Sequence, residues 1–201
     1  MRRIVVVFLL FIITAVFAFL IYLRSTGLSA RSRPAAGEGF VARKARSFAI
    51  PTSARNSQNP VTPDARVLAE GMHHFADHCA ICHANNGSGD TPIGKGLYPP
   101  SPDLRAAETQ NLGDGEIYWI IHNGVRFTGM PAFGEDKPGV QDEDSWKLVH
   151  FIRHLPAITD EEIQAMKRFN PISPADLEEE EQIRKFLAGE DAPEAHNGHE
   201  H

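Results

Sequence analysis

The strongest constraint on this chain comes from its cysteines. Cys79 and Cys82 are the only two in 201 residues, two residues separate them, and His83 follows directly. A pair at this spacing serves as a dithiol switch, as half of a zinc site, or as the attachment point for a haem. Each role needs a different fold around the pair, so the surrounding pattern decides between them.

Two of these roles fit the rest of the sequence poorly. A structural zinc site takes four ligands, usually with thiolates from two pairs, and a second cysteine pair is not present. A thioredoxin-like dithiol lies in a βαβ unit, whereas this sequence has no good strand pattern. Cys-x-x-Cys-His instead predicts one covalently bound haem c, with thioethers at Cys79 and Cys82 and an axial imidazole at His83.

The hydrophobic pattern predicts an all-α domain. A first helix is expected over residues 64–78, after a start signal at Pro63 and Asp64. Asp114 is expected to cap a second helix that ends at Gly124. A third, amphipathic helix lies in DEDSWKLVHFIRHLP and ends before Pro156, and the glycine- and proline-rich segments between are predicted as loops. The expected inward residues of the first and third helices are Val67, Leu68, Met72, Phe75, Trp146, Leu148, Val149, Phe151 and Ile152.

Two short helices are predicted beyond this domain. Thr159 and Glu162 have the spacing of a capping box for a helix that runs to about Phe169. Ser173 and Pro174 mark the start of another, which ends near Gly189. Residues 190–201 are polar and acidic and predict a disordered tail.

A haem held by His83 has a sixth coordination position, and Met130 is the best candidate for it. Met130 lies in the loop TGMPAFG, where Gly129 and Pro131 can present its thioether rigidly. Ligation by His and Met raises the reduction potential of the iron. Two alternatives remain open, since Met130 can be a core residue or another histidine of the domain can take its place.

The N-terminus predicts a membrane anchor. Residues 4–23 form an uncharged run of twenty residues, long enough to span a hydrocarbon core as a helix. A cleaved signal peptide has a shorter apolar region and a small-x-small site, for which LSA at 28–30 is a weak match. Arginines flank the run on both sides, so charge alone does not orient it. Residues 24–63 predict a flexible basic linker.

Charge is distributed unevenly along the chain. Residues 1–63 carry nine basic side chains and one acidic, whereas residues 64–156 carry seven basic and thirteen acidic, and the overall net charge is −6. Binding to nucleic acid is excluded for the folded part, because phosphate contacts need positive charge there. A basic stem and an acidic body favour a membrane-proximal protein with a cationic or weakly charged partner.

Residues 64–156 resemble class I cytochrome c of the bacterial monohaem type. The resemblance rests on Cys79, Cys82 and His83, on GMPAF around Met130, and on a glycine and an aromatic residue before the cysteines, Gly71 and Phe75. It implies a fold of three core helices around one haem, in which Gly71 and Phe75 pack against the last helix near Leu148 and Phe151. GLYPPSPDL resembles the loop whose proline carbonyl accepts a hydrogen bond from the axial imidazole, with Pro99, Pro100 and Pro102 as candidates.

The expected organisation has five parts: an anchor (1–23), a flexible linker (24–63), a cytochrome c domain (64–156), a helical extension (157–189) and a disordered His-rich tail (190–201). The resemblance implies a membrane-tethered, non-enzymatic electron carrier with redox protein partners, its haem domain on the periplasmic or outer face. Alternatives are a cytochrome subunit of a dehydrogenase, oxidase or reductase, a gas sensor or peroxidase, and a metal-delivery protein. The last would use His196, His199 and His201, which could bind a divalent metal weakly. Arg105 and Arg126 are candidates for pairing with the haem propionates.

Overall fold

The computed structural model describes residues 2–27, 29–32, 34–134, 142–172 and 174–188. Within these ranges the chain is helical and has no β-strand, which confirms the all-α prediction. Helix α1 (Arg2–Thr26) buries none of its residues and is the one described helix long and apolar enough to cross a membrane. The others are α2 (Glu38–Ala49), α3 (Thr52–Arg55), α4 (Ala65–His74), α5 (Ala80–His83), α6 (Pro92–Gly96), α7 (Ala107–Gln110), α8 (Asp114–Asn123), α9 (Glu143–His154), α10 (Asp160–Met166) and α11 (Pro174–Leu187).

The first core helix is longer than predicted and carries an irregular turn. Asp64 caps α4 by accepting a hydrogen bond from the Val67 N–H at 2.7 Å. After His74 the chain continues through a π-helical turn, Phe75–Cys79, directly into α5. A π-turn shifts the side chains that follow it relative to a regular helix and is frequent at functional sites. Here it precedes the segment in which Ala80 and His83 are buried.

Helices α4 and α9 form the centre of the core, as expected from the residues predicted to face inward on the first and third helices. A Cβ on Gly71 would lie 2.5 Å from the Lys147 carbonyl oxygen and 3.2 Å from the Phe151 Cβ, so the two helices approach closely at this glycine. The rings of Phe75 and Phe151 lie 5.1 Å apart and both side chains are fully buried. Leu148 is buried in the same cluster. The expected packing of Gly71 and Phe75 against α9 is therefore observed.

The start of α8 differs from the prediction. Gly113, not Asp114, is the capping residue, and its N–H donates to the Glu116 carboxylate at 3.0 Å. The Asp114 carboxylate instead pairs with the Arg153 guanidinium at 2.7 Å. Local sequence does not show that Asp114 pairs with Arg153 on α9, so it places the cap one residue after its position in the structure. Gly124 ends the helix with a positive φ of 66°, as expected.

Asp142 caps helix α9 and forms a small polar network. Its carboxylate accepts hydrogen bonds from the Ser145 N–H at 3.0 Å and the Ser145 hydroxyl at 2.5 Å, and it lies 2.9 Å from His122 Nδ1. Burial raises the pKa of Asp142, but the hydrogen bonds from Ser145 and His122 outweigh it. The net result is a pKa below the ordinary value of 3.8.

We expect Asp142→Ala to lower the free energy of unfolding by about 1–2 kcal/mol at neutral pH, because the cap of α9 is lost. A carboxyl whose pKa is lowered by folding stabilises the fold above its unfolded pKa, and this contribution disappears as the pH falls through the folded value. The difference between wild type and variant should therefore shrink below about pH 3.8. Urea unfolding across this range measures it. Asp142→Asn keeps a capping side chain, and an equally large loss in that variant would contradict the capping role.

Residues 24–63 differ from the expected irregular linker. They contain α2 and α3, and Ile50 between them is only 2 % exposed. The Asn59 side-chain amide donates to the Trp146 carbonyl at 2.9 Å. His150 Nε2 lies 2.7 Å from the Val61 carbonyl oxygen. This segment therefore packs on the domain through hydrogen bonds to α9, which an apolar periodicity does not reveal.

The C-terminal elements follow the prediction as far as the structure describes them. Thr159 and Glu162 form the expected capping box, with the Glu162 N–H donating to Thr159 Oγ1 at 3.2 Å and the Thr159 N–H to Glu162 Oε2 at 2.8 Å. Met166 on α10 is fully buried in the core cluster. Gly189 and the tail 190–201 lie outside the described residues, so their predictions are not tested.

Candidate haem-binding site

The core helices enclose a cavity of about 530 Å³ whose wall is mainly apolar. Ile117 and Ile121 of α8 and Leu148 and Ile152 of α9 form part of the wall. The π-turn and α5 contribute another side, the loop 97–104 a third, and the loop around Met130 a fourth. A cavity of this size, apolar with a few convergent polar groups, is the usual form of a cofactor site.

Cys79 and Cys82 lie in the cavity wall as unpaired thiols. Burial, with a smaller contribution from Cys82, raises the pKa of the Cys79 thiol to about 12. Burial also raises the pKa of Cys82. A redox-active or zinc-binding pair needs thiolates, whose pKa values are lowered by their surroundings. The environment of these two thiols is therefore that of an apolar pocket, and it disfavours a dithiol switch.

His83 lies in the same wall, with 9 % of its surface exposed. Burial lowers the pKa of His83 and the Pro102 carbonyl partly opposes this. Nδ1 is buried, and its interaction with the Pro102 carbonyl falls short of normal hydrogen-bond geometry. Among the three prolines considered, Pro102 is the one whose carbonyl acts on His83. The imidazole is held neutral, which is the form that binds a metal.

Met130 reaches the cavity from the loop that follows α8. The Val125 N–H donates to the Met130 carbonyl at 3.0 Å, and the Met130 N–H donates to Thr128 Oγ1 at 3.1 Å. A Cβ on Gly129 would lie 2.6 Å from Leu97 Cδ2, so the backbone here packs tightly against the loop 97–104. The structure thus brings Met130 and His83, which are far apart in sequence, into one cavity.

Most other histidines of the domain have partners elsewhere. His78 lies 3.3 Å from Asp77 and also lines the cavity, so among the described residues it is the remaining histidine that could replace Met130 as a ligand. The ring of His74 lies 4.8 Å from that of His78, and burial lowers the pKa of His74. Further partners are Phe169 for His73, Asp142 for His122, the Val61 carbonyl for His150 and Glu162 for His154.

One set of cavity residues was missed by sequence reasoning. Glu38, Gly39, Arg43 and Arg46 of α2 line the cavity, although the segment was expected to be a linker. Their spacing of one, three and four residues is that of one helical face, which is the signal that could have found them. Arg105, a sequence candidate for the propionates, instead donates to both oxygens of Asp103, at 2.9 and 2.8 Å.

The residues present fit a covalently bound haem. The cavity is apolar, two cysteines and a neutral, incompletely bonded imidazole lie on one wall, and a thioether lies on another. Within the described residues no group of three or more His, Cys, Asp or Glu is placed to hold a metal ion by itself. His196, His199 and His201, the candidates for a weak metal site, lie outside these residues.

Comparison with known families agrees with this geometry. Residues 66–152 match the model of a family described as cytochrome c oxidase, cbb3-type, subunit III. The matched range begins in α4, contains Cys79, Cys82, His83 and Met130, and ends in α9. It leaves out α1, α2 and the helices after α9. This part of the chain is therefore similar to a c-type cytochrome domain, and this similarity implies covalently bound haem c.

Proposed function

We propose that the protein is a membrane-tethered cytochrome with one haem that transfers single electrons between redox proteins. In this proposal Cys79 and Cys82 form the thioethers, and His83 and Met130 are the axial ligands. The observation that carries it is the single cavity whose walls hold all four side chains. The haem supplies a one-electron couple at its iron when bound.

The chain's own residues hold and shield the cofactor. Burial lowers the pKa of His83 and favours its neutral imidazole, which can bind iron without losing a proton. The apolar wall from α8 and α9 excludes water, which sets the dielectric around the iron and hence its potential. Because His83 and Met130 would both bind the iron, the proposed site would leave no open coordination position for oxygen or peroxide.

The location is part of the same proposal. Helix α1 is apolar and unburied, and such a helix near the N-terminus is a membrane anchor or a signal sequence. We propose an anchor, because the apolar run exceeds the usual length of a signal peptide core. Since c-type haem is attached outside the cytoplasm, the domain is placed on the periplasmic or outer face with the N-terminus inside.

A second candidate is an electron-transfer subunit of an oxidase complex. The family match favours it, because the matching family is described as a subunit of a cbb3-type cytochrome c oxidase. Purification from membranes in a mild detergent distinguishes the two candidates. Stable co-purification with a catalytic subunit supports the oxidase subunit, whereas a haem protein that migrates alone supports the free carrier.

Replacing Cys79 and Cys82 by serine together is expected to abolish covalent haem, because serine forms no thioether. The measurement is haem staining after denaturing electrophoresis, with the intact mass as confirmation. Ile81→Ser is the matched control, since Ile81 lies between the cysteines and is 47 % exposed. Retention of denaturation-resistant haem in the double variant, or its absence from the wild type, would refute the proposed function.

A further inference from the structure

Helix α2 presents one face to the haem cavity. Glu38, Gly39, Ala42, Arg43 and Arg46 all line it, and their spacing is that of a single helical stripe. Ile50, which follows α2, is buried and fixes the end of the helix against the protein. Helix α2 thus forms a roof over the cavity, although it lies outside the range that matches the cytochrome family.

Arg46 on this roof is half-buried, and one donor of its guanidinium group lacks a partner. Its Nε is inaccessible to solvent and has no hydrogen-bond partner among the described residues. Burial lowers the pKa of Arg46, with Arg43 acting in the same direction and Glu116 opposing. A buried charge is costly unless it is paired and hydrogen-bonded. The position therefore calls for an anion.

The carboxylate that acts on Arg46 from the protein itself, Glu116, is already engaged elsewhere. Glu116 attracts Arg46, but its carboxylate already accepts from the Gly113 N–H at 3.0 Å and pairs with Arg55 at 3.5 Å. Glu38 accepts from the Tyr98 hydroxyl at 2.5 Å and from the Ala35 N–H at 2.9 Å. An anion that enters with the cofactor is the remaining partner.

We propose that the Arg46 guanidinium, assisted by Arg43, binds a propionate carboxylate of the haem through charge-assisted hydrogen bonds. This inference rests on the proposed function, because only a haem in this cavity brings that carboxylate. Arg46 thus takes the role that the sequence suggested for Arg105, whose guanidinium group donates to Asp103 instead. It also makes α2 part of the cofactor site rather than a spacer between membrane and domain.

The charged groups that line the cavity would act on such a carboxylate. Arg43 and Arg46 are the two guanidinium groups among the described lining residues. An arginine fork is suited to a carboxylate because it can donate two parallel hydrogen bonds. The other titratable groups that line the cavity are Glu38, His78, Cys79, Cys82, His83, Asp103 and Glu108, and Glu116 acts on Arg46 from beside it.

The test is the pH dependence of the reduction potential in Arg46→Gln, measured by spectroelectrochemistry on the detergent-solubilised full chain. An ionised propionate favours ferric iron, so the potential falls as the pH rises through the propionate pKa. Arg46 favours the ionised form and lowers that pKa. In Arg46→Gln, the drop in reduction potential is therefore expected at a pH about one to two units higher than in the wild type. The reduction potential at neutral pH is expected to be lower, because a positive charge near the haem is lost.

Lys44→Gln is the matched control, because it removes one positive charge from the same helix. Lys44 is exposed and lies over the Phe40 ring, 5.7 Å from its centroid, away from the cavity. Its pH profile should equal that of the wild type. Arg46→Lys keeps the charge without the fork and should shift the profile less than glutamine does, which keeps the test valid if Arg46→Gln folds poorly.

The outcomes separate this inference from the function on which it rests. A wild-type chain without covalent haem overturns both. Covalent haem together with identical pH profiles in Arg46→Gln, Lys44→Gln and wild type overturns the role of Arg46 alone. An upward shift confined to the Arg46 variants, with haem content unchanged, supports it.

Discussion

Replacing Met130 by alanine is expected to remove the proposed second protein ligand of the iron. The near-infrared charge-transfer band of Met–iron ligation should disappear from the oxidised spectrum, and the ferrous protein should gain CO binding at neutral pH. The potential should fall, because thioether ligation favours ferrous iron. Among the described residues Met130 is the methionine that lines the cavity, which is why the largest spectral effect is expected there.

Met72→Ala provides the control for Met130. Met72 packs against the core from α4 and does not line the cavity, so its loss should reduce stability without changing the ligation spectrum. An unchanged spectrum in Met130→Ala would show that another residue is the ligand. His78→Ala then identifies the replacement, since His78 is the other histidine besides His83 in the cavity wall.

Gly71→Ala is expected to lower the free energy of unfolding by about 2–3 kcal/mol through overpacking of the α4–α9 contact. The added Cβ would lie 2.5 Å from the Lys147 carbonyl oxygen, a backbone atom that cannot rotate away. Relief requires α4 and α9 to separate, and both helices carry core residues. Denaturant unfolding of the haem-loaded protein measures the loss.

Gly96→Ala is the matched control for Gly71. A Cβ at Gly96 would meet nothing within 4 Å, so this variant should stay within about 0.5 kcal/mol of the wild type. A Gly71→Ala protein as stable as Gly96→Ala would show that the helices can separate at little cost. The close approach would then not be a determinant of stability.

The helices at the centre of the fold could be predicted from sequence because their burial is periodic. Trp146, Val149 and Ile152 recur at helical spacing on α9, and all three are buried. The Cys-x-x-Cys-His motif is likewise local, since its chemistry depends on five consecutive positions. The pairing of this motif with Met130 in one cavity is a long-range contact, which spacing suggests but only the fold can show.

Helix α2 escaped prediction for a physical reason. Its cavity-facing residues are glutamate, glycine, alanine and arginine, whereas its large apolar residues face outward. Phe40 is exposed, and Phe48 is 91 % exposed. The apolar side of an amphipathic helix is expected to face the core, so the pattern of α2, whose apolar side faces outward, does not predict its place against the cavity. The proposed partner of Arg46 is a carboxylate of the cofactor, which is not encoded in the sequence.

Because α2 forms a roof over one side of the cavity, the sides of the cavity differ in how closely a redox partner could approach. On the side of α2 the cavity is covered, whereas Ile81 and Ile93, on either side of the Cys82–His83 segment, are each 47 % exposed. Electron tunnelling weakens steeply with distance, so a redox partner gains most by docking where the macrocycle edge is least covered. For the proposed haem, we therefore expect a redox partner to dock on the face near Ile81 and Cys82 rather than on the side that α2 covers.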